Sequence, residues 1–132
     1  MKFNLSALKK LSQRHHLKLL VAFGSQVNGR THNESDLDLA FFPDGKVNEE
    51  KLYLDLVHLF KRADIDLINL ITTHNQILRF KILNTGKVLY ETKKGVKSNL
   101  EWQSYFDYCD FKKYLNLRSS ILDKKIGEMI HG

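Results

Sequence analysis

The chain has 132 residues, 42% of them hydrophobic, enough for one compact domain with a core and too little for two ordinary ones. Lys and Arg number 21 against 15 Asp and Glu, and the resulting +6 suits an acidic partner, a nucleic acid or a triphosphate without choosing among them. The single cysteine, Cys109, excludes an internal disulfide and fits a reducing compartment, and no stretch approaches the ~20 apolar residues of a membrane span. The opening Met1 to Lys10 has no apolar run of the kind a signal peptide needs, so a cytoplasmic protein with no membrane role is expected.

Taken in order, residues 4 to 16 predict a helix capped by Asn4, with Leu5, Leu8 and Leu11 at helical spacing and Lys9, Lys10 and Arg14 outside. His15 and His16 close it, and there they complement the helix dipole rather than bind a metal. Leu17 to Phe23 is apolar, short and β-favouring, as in a buried strand that stops at Gly24. A second strand is predicted over Ser35 to Phe42, followed by a turn at Phe42-Pro43-Asp44-Gly45. Residues 48 to 62 predict a helix burying Leu52, Leu56, Leu59 and Phe60, with Lys51, Asp55, His58 and Arg62 outside.

Ala63 to Leu70 alternates as a third strand, with Ile65 and Leu67 on one face and Asp64, Asp66 and Ile68 on the other. Thr73-x-x-Gln76 matches a capping box for a helix ending near Gly86, and Lys87 to Glu91 is a short edge strand. The polar stretch 92 to 98 is taken as a linker. Beyond it, Asn99 to Met129 is aromatic-rich, with Trp102, Phe106 and Cys109 on one stripe and Tyr105 and Tyr108 beside it. A helix apolar over so much of its circumference is covered on more than one side, so its surplus points either to a partner or self-association or to a simple core helix.

The chemistry gathers between Gly24 and Asp38. Gly24 lets backbone N–H groups approach a ligand, the Ser25 hydroxyl adds a donor for phosphate oxygens, and a short helix over 26 to 30 would turn its amides to the same anion. In Ser35-Asp36-Leu37-Asp38 the two acids share a face. At about 3.3 Å of rise per residue they lie roughly 6.6 Å apart, with a mutual repulsion on the order of 2.5 kcal/mol at an effective dielectric near 20. A divalent cation between them relieves it, and oxygen ligands shared with substrate phosphates suit Mg²⁺. A phosphate-seeking turn beside such a pair implies a nucleoside triphosphate. On the third strand Asp66 is the acid expected to join them, with Asp64 at the edge facing solvent.

Gly24-Ser25, ten residues, then Asp36-x-Asp38, with Gly29-Arg30 between and Asp66 in an Ile-Asp-Leu-Ile strand, resembles the nucleotidyltransferase superfamily with the DNA polymerase β-type fold. Within it the short chain is most similar to the minimal nucleotidyltransferases (MNT) that serve as antitoxins to HEPN-domain ribonucleases. The likeness covers roughly residues 15 to 91, and Leu78 to Glu91 matches the family's last helix and strand.

The resemblance implies an α/β (α+β) fold, a short mixed sheet flanked by helices. It is read here as one domain over 1–132, with a core to about residue 91 and an added C-terminal helix. It further implies transfer of AMP from ATP to a tyrosine of a cognate HEPN ribonuclease toxin. Asp36 and Asp38 would hold Mg²⁺ on the triphosphate, and Asp66 would share a second ion and help deprotonate the acceptor. Gly24 and Ser25 would grip the triphosphate tail. Arg30 either neutralises charge there or is a solvated arginine, and Ser35 either bonds a phosphate or begins the strand. Direct nucleic-acid binding is not expected, whereas association through the C-terminal helix, with itself or the toxin, is. Two rivals stand beside this reading: a small-molecule nucleotidyltransferase acting on an aminoglycoside-like hydroxyl, and an antitoxin that works by binding alone.

Overall fold

The computed structural model describes residues 3–24 and 36–131. Helix α1 (Leu5–Arg14) leads into strand β1 (Leu17–Phe23), and β2 (Leu37–Pro43) follows. Helix α2 (Glu49–Phe60), strand β3 (Ile65–Asn69), helix α3 (Gln76–Thr85), strand β4 (Lys87–Glu91) and helix α4 (Val96–His131) complete the chain. The four strands lie in the order β3-β2-β1-β4. β1 is antiparallel to both β2 and β4, while β2 and β3 run parallel. The result is the mixed sheet that the sequence predicted, with the parallel pair joined through α2 as a crossover requires.

Alternation along the strands supplies two cores. Leu20, Ala22, Leu37, Leu39, Phe41 and Ile65 face α1 and α2, where they meet Leu8, Leu11, Leu52, Leu56 and Phe60. Leu19, Val21, Ala40 and Ile68 turn the other way, against Ile82, Leu83, Leu78 and Leu100 of α3 and α4. The first three helices open on an asparagine whose side chain takes up a free N–H of the first turn: Asn4 from Ala7, Asn48 from Lys51 and Asn75 from Leu78.

Several expectations are corrected. The cap of α3 is Asn75, not Thr73, whose backbone carbonyl instead accepts from the Arg79 guanidinium at 2.6 Å. α4 starts at Val96, so the connection is shorter than the predicted 92 to 98. Gly95 turns the chain at a φ of 99°, and the Glu91 carboxylate accepts from the Lys97 N–H at 3.3 Å in the opening turn. α1 ends at Arg14, and His15 spends its imidazole on Asp55 of α2, Nε2 to Oδ2 at 2.6 Å, where Arg14 also reaches the same oxygen at 2.8 Å. Asp55 is therefore a tether between α1 and α2, not a solvated acid. β2 begins at Leu37, so Asp36 precedes the strand, and it runs on through Pro43.

α4 is one continuous helix of 36 residues, about 54 Å at 1.5 Å per residue. Its first turns pack on α3, with Phe80 stacked on Tyr108 at 5.1 Å between centroids and tilted against Tyr105 at 5.7 Å. Beyond them Leu115, Leu117, Ile121, Leu122, Ile126 and Met129 are exposed. No helix among the described residues is long and apolar enough to cross a membrane.

Candidate active site

The acids meet at one end of the sheet because β2 and β3 are parallel and in phase. Their register places Leu37 beside Ile65 and Asp38 beside Asp66, with Asp38 also opposite Phe23 of β1. Residues directly paired on neighbouring strands project to one face, so both carboxylates stand on the side that α3 and α4 cover further along. Asp38 is half-buried, while Asp36 and Asp66 are exposed.

Burial pushes the Asp38 carboxyl above the ordinary carboxylate range, and the charges of Asp66 and then Asp36 push it further. The charges of Asp66 and Asp36 thus both act on Asp38. No group of three His, Cys, Asp or Glu among the described residues forms a ready-made metal cage. The arrangement suits a cation that takes one or two carboxylates and draws its other ligands from phosphates and water, the habit of Mg²⁺. The charge-burdened Asp38, facing Asp66, is the position where such an ion would be most stabilising.

Gly24 ends β1 at a φ of 83°, a conformation that residues with side chains rarely adopt. A Cβ there would collide with Oδ2 of Asp38. Gly24 is therefore required at this site both for its turn and for the space it leaves to the acid. Of the other expected contacts, Ser25, Arg30 and Ser35 lie outside the described residues, as does the short helix predicted over 26 to 30.

Asp64 stays partly open to solvent, as expected, but it is paired. Arg62 grips it with a fork, Nε to Oδ1 at 2.6 Å and Nη2 to Oδ2 at 2.5 Å, and this holds the Asp64 carboxyl below its usual range. Arg62, expected on the polar face of α2, lies beyond that helix, which ends at Phe60. The signal available in the sequence was Arg62-x-Asp64 immediately before the acidic strand, since an extended chain brings side chains two apart to the same side.

An open cavity of about 440 Å³ lies elsewhere, between α3 and α4, lined by Phe80, Asn84, Ser98, Glu101, Trp102 and Tyr105. None of Asp36, Asp38 and Asp66 lines it. Among the described residues the carboxylates are the candidate site, because there charge acting on Asp38 meets a glycine that makes room for it.

The model of the polymerase β nucleotidyltransferase family matches residues 6–95. The chain belongs to that family. Among solved structures it is similar over its whole fold to a toxin–antitoxin complex with AMP-PNP, 22% identical, covering 93% of this chain and 98% of the other at a TM-score of 0.72. A tri-AMPylated Shewanella oneidensis HEPN toxin in complex with MNT antitoxin matches at 20% identity and a TM-score of 0.65, covering 92% and 95%. An MntA–HepT toxin–antitoxin complex matches at 19% and 0.65, covering 92% and 96%. At such identities the likeness is one of fold. Among curated proteins no sequence matches the chain significantly.

Proposed function

We propose that this chain is an antitoxin nucleotidyltransferase that moves AMP from ATP to a tyrosine hydroxyl of a HEPN-domain ribonuclease toxin and so silences it. The observation that carries the reading is the Asp38–Asp66 pair, set in register on adjoining strands of a family built for nucleotidyl transfer. The likeness to antitoxins bound to their toxins, one with AMP-PNP and one beside an AMPylated toxin, supports the choice of donor and acceptor. We read the chain as a single nucleotidyltransferase domain with a C-terminal helical extension, working in the cytoplasm.

In the reaction the acceptor oxygen attacks the α-phosphorus, a new O–P bond forms, and the bond to the bridging oxygen breaks as pyrophosphate leaves. Asp66, exposed at the edge of the sheet, takes the hydroxyl proton. Asp36 and Asp38 would hold Mg²⁺, with Asp66 sharing a second ion. Bound there, Mg²⁺ supplies charge stabilisation to the attacking and leaving oxygens. Gly24 keeps the backbone close to the triphosphate, and Ser25, Arg30 and Ser35 complete its binding. Half-burial of Asp38 limits water around the reacting phosphate and strengthens every charge interaction there.

The test is intact-mass spectrometry of a co-expressed HEPN-domain protein incubated with this chain, ATP and Mg²⁺. Mass gains in whole AMP units, absent with Asp38→Asn, are expected. A stable complex with unchanged mass would show neutralisation by binding alone, and AMP found only on an aminoglycoside would show a small-molecule transferase.

A further inference from the structure

α4 has two sides. Leu100, the buried Ser104 and Tyr108 recur at helical spacing on the side that meets the body, Leu100 against the core and Tyr108 stacked on Phe80. On the opposite side, positions 102, 106, 110, 113, 117 and 121 form a second stripe. Its Trp102, Phe106, Leu117 and Ile121 are 48% to 62% exposed, and the Asp110 and Lys113 between them are exposed as well. Four such apolar side chains in line on one water-facing helix mark a surface that another molecule covers.

The order of residues along the stripe identifies that molecule. Its steps are four, four, three, four and four residues, the same read from either end. A second α4 laid antiparallel along it, with a two-fold axis midway between Asp110 and Lys113, sets Trp102 opposite Ile121 of the second copy, Phe106 opposite Leu117 and Asp110 opposite Lys113. The axis repeats each pair, so every large apolar group of the stripe is matched and two ion pairs close at the centre. Neither Asp110 nor Lys113 forms an ion pair within the chain among the described residues. A parallel copy would instead set Asp110 on Asp110 and Lys113 on Lys113, so the match exists in the antiparallel direction alone. The body packs on the other side of α4 and does not compete for the stripe. Trp102 and Phe106 are already stacked at 6.0 Å between centroids, which lowers the ordering cost of association. The open cavity beside Trp102 gives Ile121 of the second copy a recess to enter.

We infer that the chain forms a two-fold homodimer through this stripe of α4, the second copy lying antiparallel with Asp110 and Lys113 paired reciprocally at its centre. The dimer uses none of Asp36, Asp38 and Asp66, so it stands or falls independently of AMP transfer. It also leaves the stripe of Leu115, Leu122 and Ile126, on the side of α4 that continues the body-facing one, open to a different partner.

The experiment is sedimentation velocity on the full chain, wild type and charge variants, with the fluorescence of Trp102, the only tryptophan, as a second readout. Wild type is expected to pass from monomer to dimer between about 1 and 200 µM, the range of an interface at the small end of the stable ones. Trp102 emission should move to the blue over the same range as the second copy covers the ring. Asp110→Lys puts a lysine opposite Lys113, and Lys113→Asp puts an aspartate opposite Asp110. Each is expected to weaken self-association at least about 10-fold, since like charges then meet at the centre of the contact, while the helical circular dichroism stays as in wild type. Mixed in equal amounts, the two variants become complementary and associate with each other, and the double variant Asp110→Lys/Lys113→Asp regains wild-type association. Damage to the helix could not be repaired in this way. A wild type that stays monomeric throughout, single variants that dimerise as well as wild type, or a mixture that does not associate overturns the proposal. A monomeric chain whose Asp110 and Lys113 variants lose a HEPN-domain protein would give the stripe to that partner, and a dimer lost only on Leu122→Ser would place self-association on the other stripe; either result overturns it as well.

Discussion

Oδ2 of Asp38 occupies the space that a Cβ on Gly24 would fill. The glycine that ends β1 and the acid near the start of β2 are therefore fitted to each other across the antiparallel pair, and a change at one is a change at the other.

Gly24→Ala must both adopt an unfavourable φ and displace the carboxylate. We expect it to cost about 1–3 kcal/mol of stability and to abolish AMP transfer. Gly45, at a φ of 92° with nothing near its missing Cβ, is the control. Gly45→Ala bears the backbone strain alone and should retain transfer. Thermal melts beside a radiolabelled-ATP assay check both.

Asp38→Asn removes a carboxyl whose folded-state pKa is raised by burial and by Asp66 and Asp36. A raised acid favours the fold most when protonated, below its unfolded value near 3.8, and that contribution is lost as pH climbs through the higher folded value. At neutral pH, without metal, the variant should be at least as stable as wild type yet inactive. Saturating Mg²⁺ with ATP should raise the Tm of wild type more than that of the variant. Calorimetry across pH 3 to 7 gives the comparison.

Asp55 behaves oppositely. Hydrogen bonds from His15 and then Arg14 hold its carboxyl below 3.8, so its contribution is full above that value and lost as pH falls through the lower folded value. Asp55→Asn should lower stability by roughly 1 kcal/mol or less at neutral pH, as partly exposed ion pairs do, and should weaken the acid sensitivity of the fold. Urea titrations at pH 7 and near pH 3 measure it, and catalysis should be untouched.

In the outer part of α4, Leu122 and Ile126 are about half exposed, at 49% and 53%. Replacing either with Ser should change stability by about 0.5 kcal/mol or less, whereas Ile82→Ala, in the core against the sheet, should lose about 2–5 kcal/mol. A large loss from Leu122→Ser would mean that this face is already covered in the protein as it exists. Denaturant midpoints at two protein concentrations provide the answer.

Most of the fold was legible because alternation is a strong signal. Leu17 to Phe23 and Lys87 to Glu91 were located to the residue, and Ile65 and Leu67 were placed on the face opposite Asp66. The Asp38–Asp66 meeting was anticipated from the two acidic strands, but their register was not, since it depends on the length of the α2 crossover. Asn75 rather than Thr73 is the cap because α3 opens at Gln76, immediately after Asn75, whose side chain takes up the Leu78 N–H. Arg62 and His15 looked like surface charges, because their partners become visible only once α1, α2 and β3 are assembled. Local pattern determined the strands; long-range pairing determined what their side chains touch.

β3 is five residues long, sits at the sheet's border and bonds to one neighbour only. Such segments open sub-globally at lower free energy than central strands, and amide hydrogen exchange finds them first. Since Asp66 rides on β3 while Asp38 belongs to the interior β2, partial detachment splits the acid pair without melting the domain. Under the proposed function, transfer depends on an edge strand staying paired, so warming should silence it before the helical signal begins to fall.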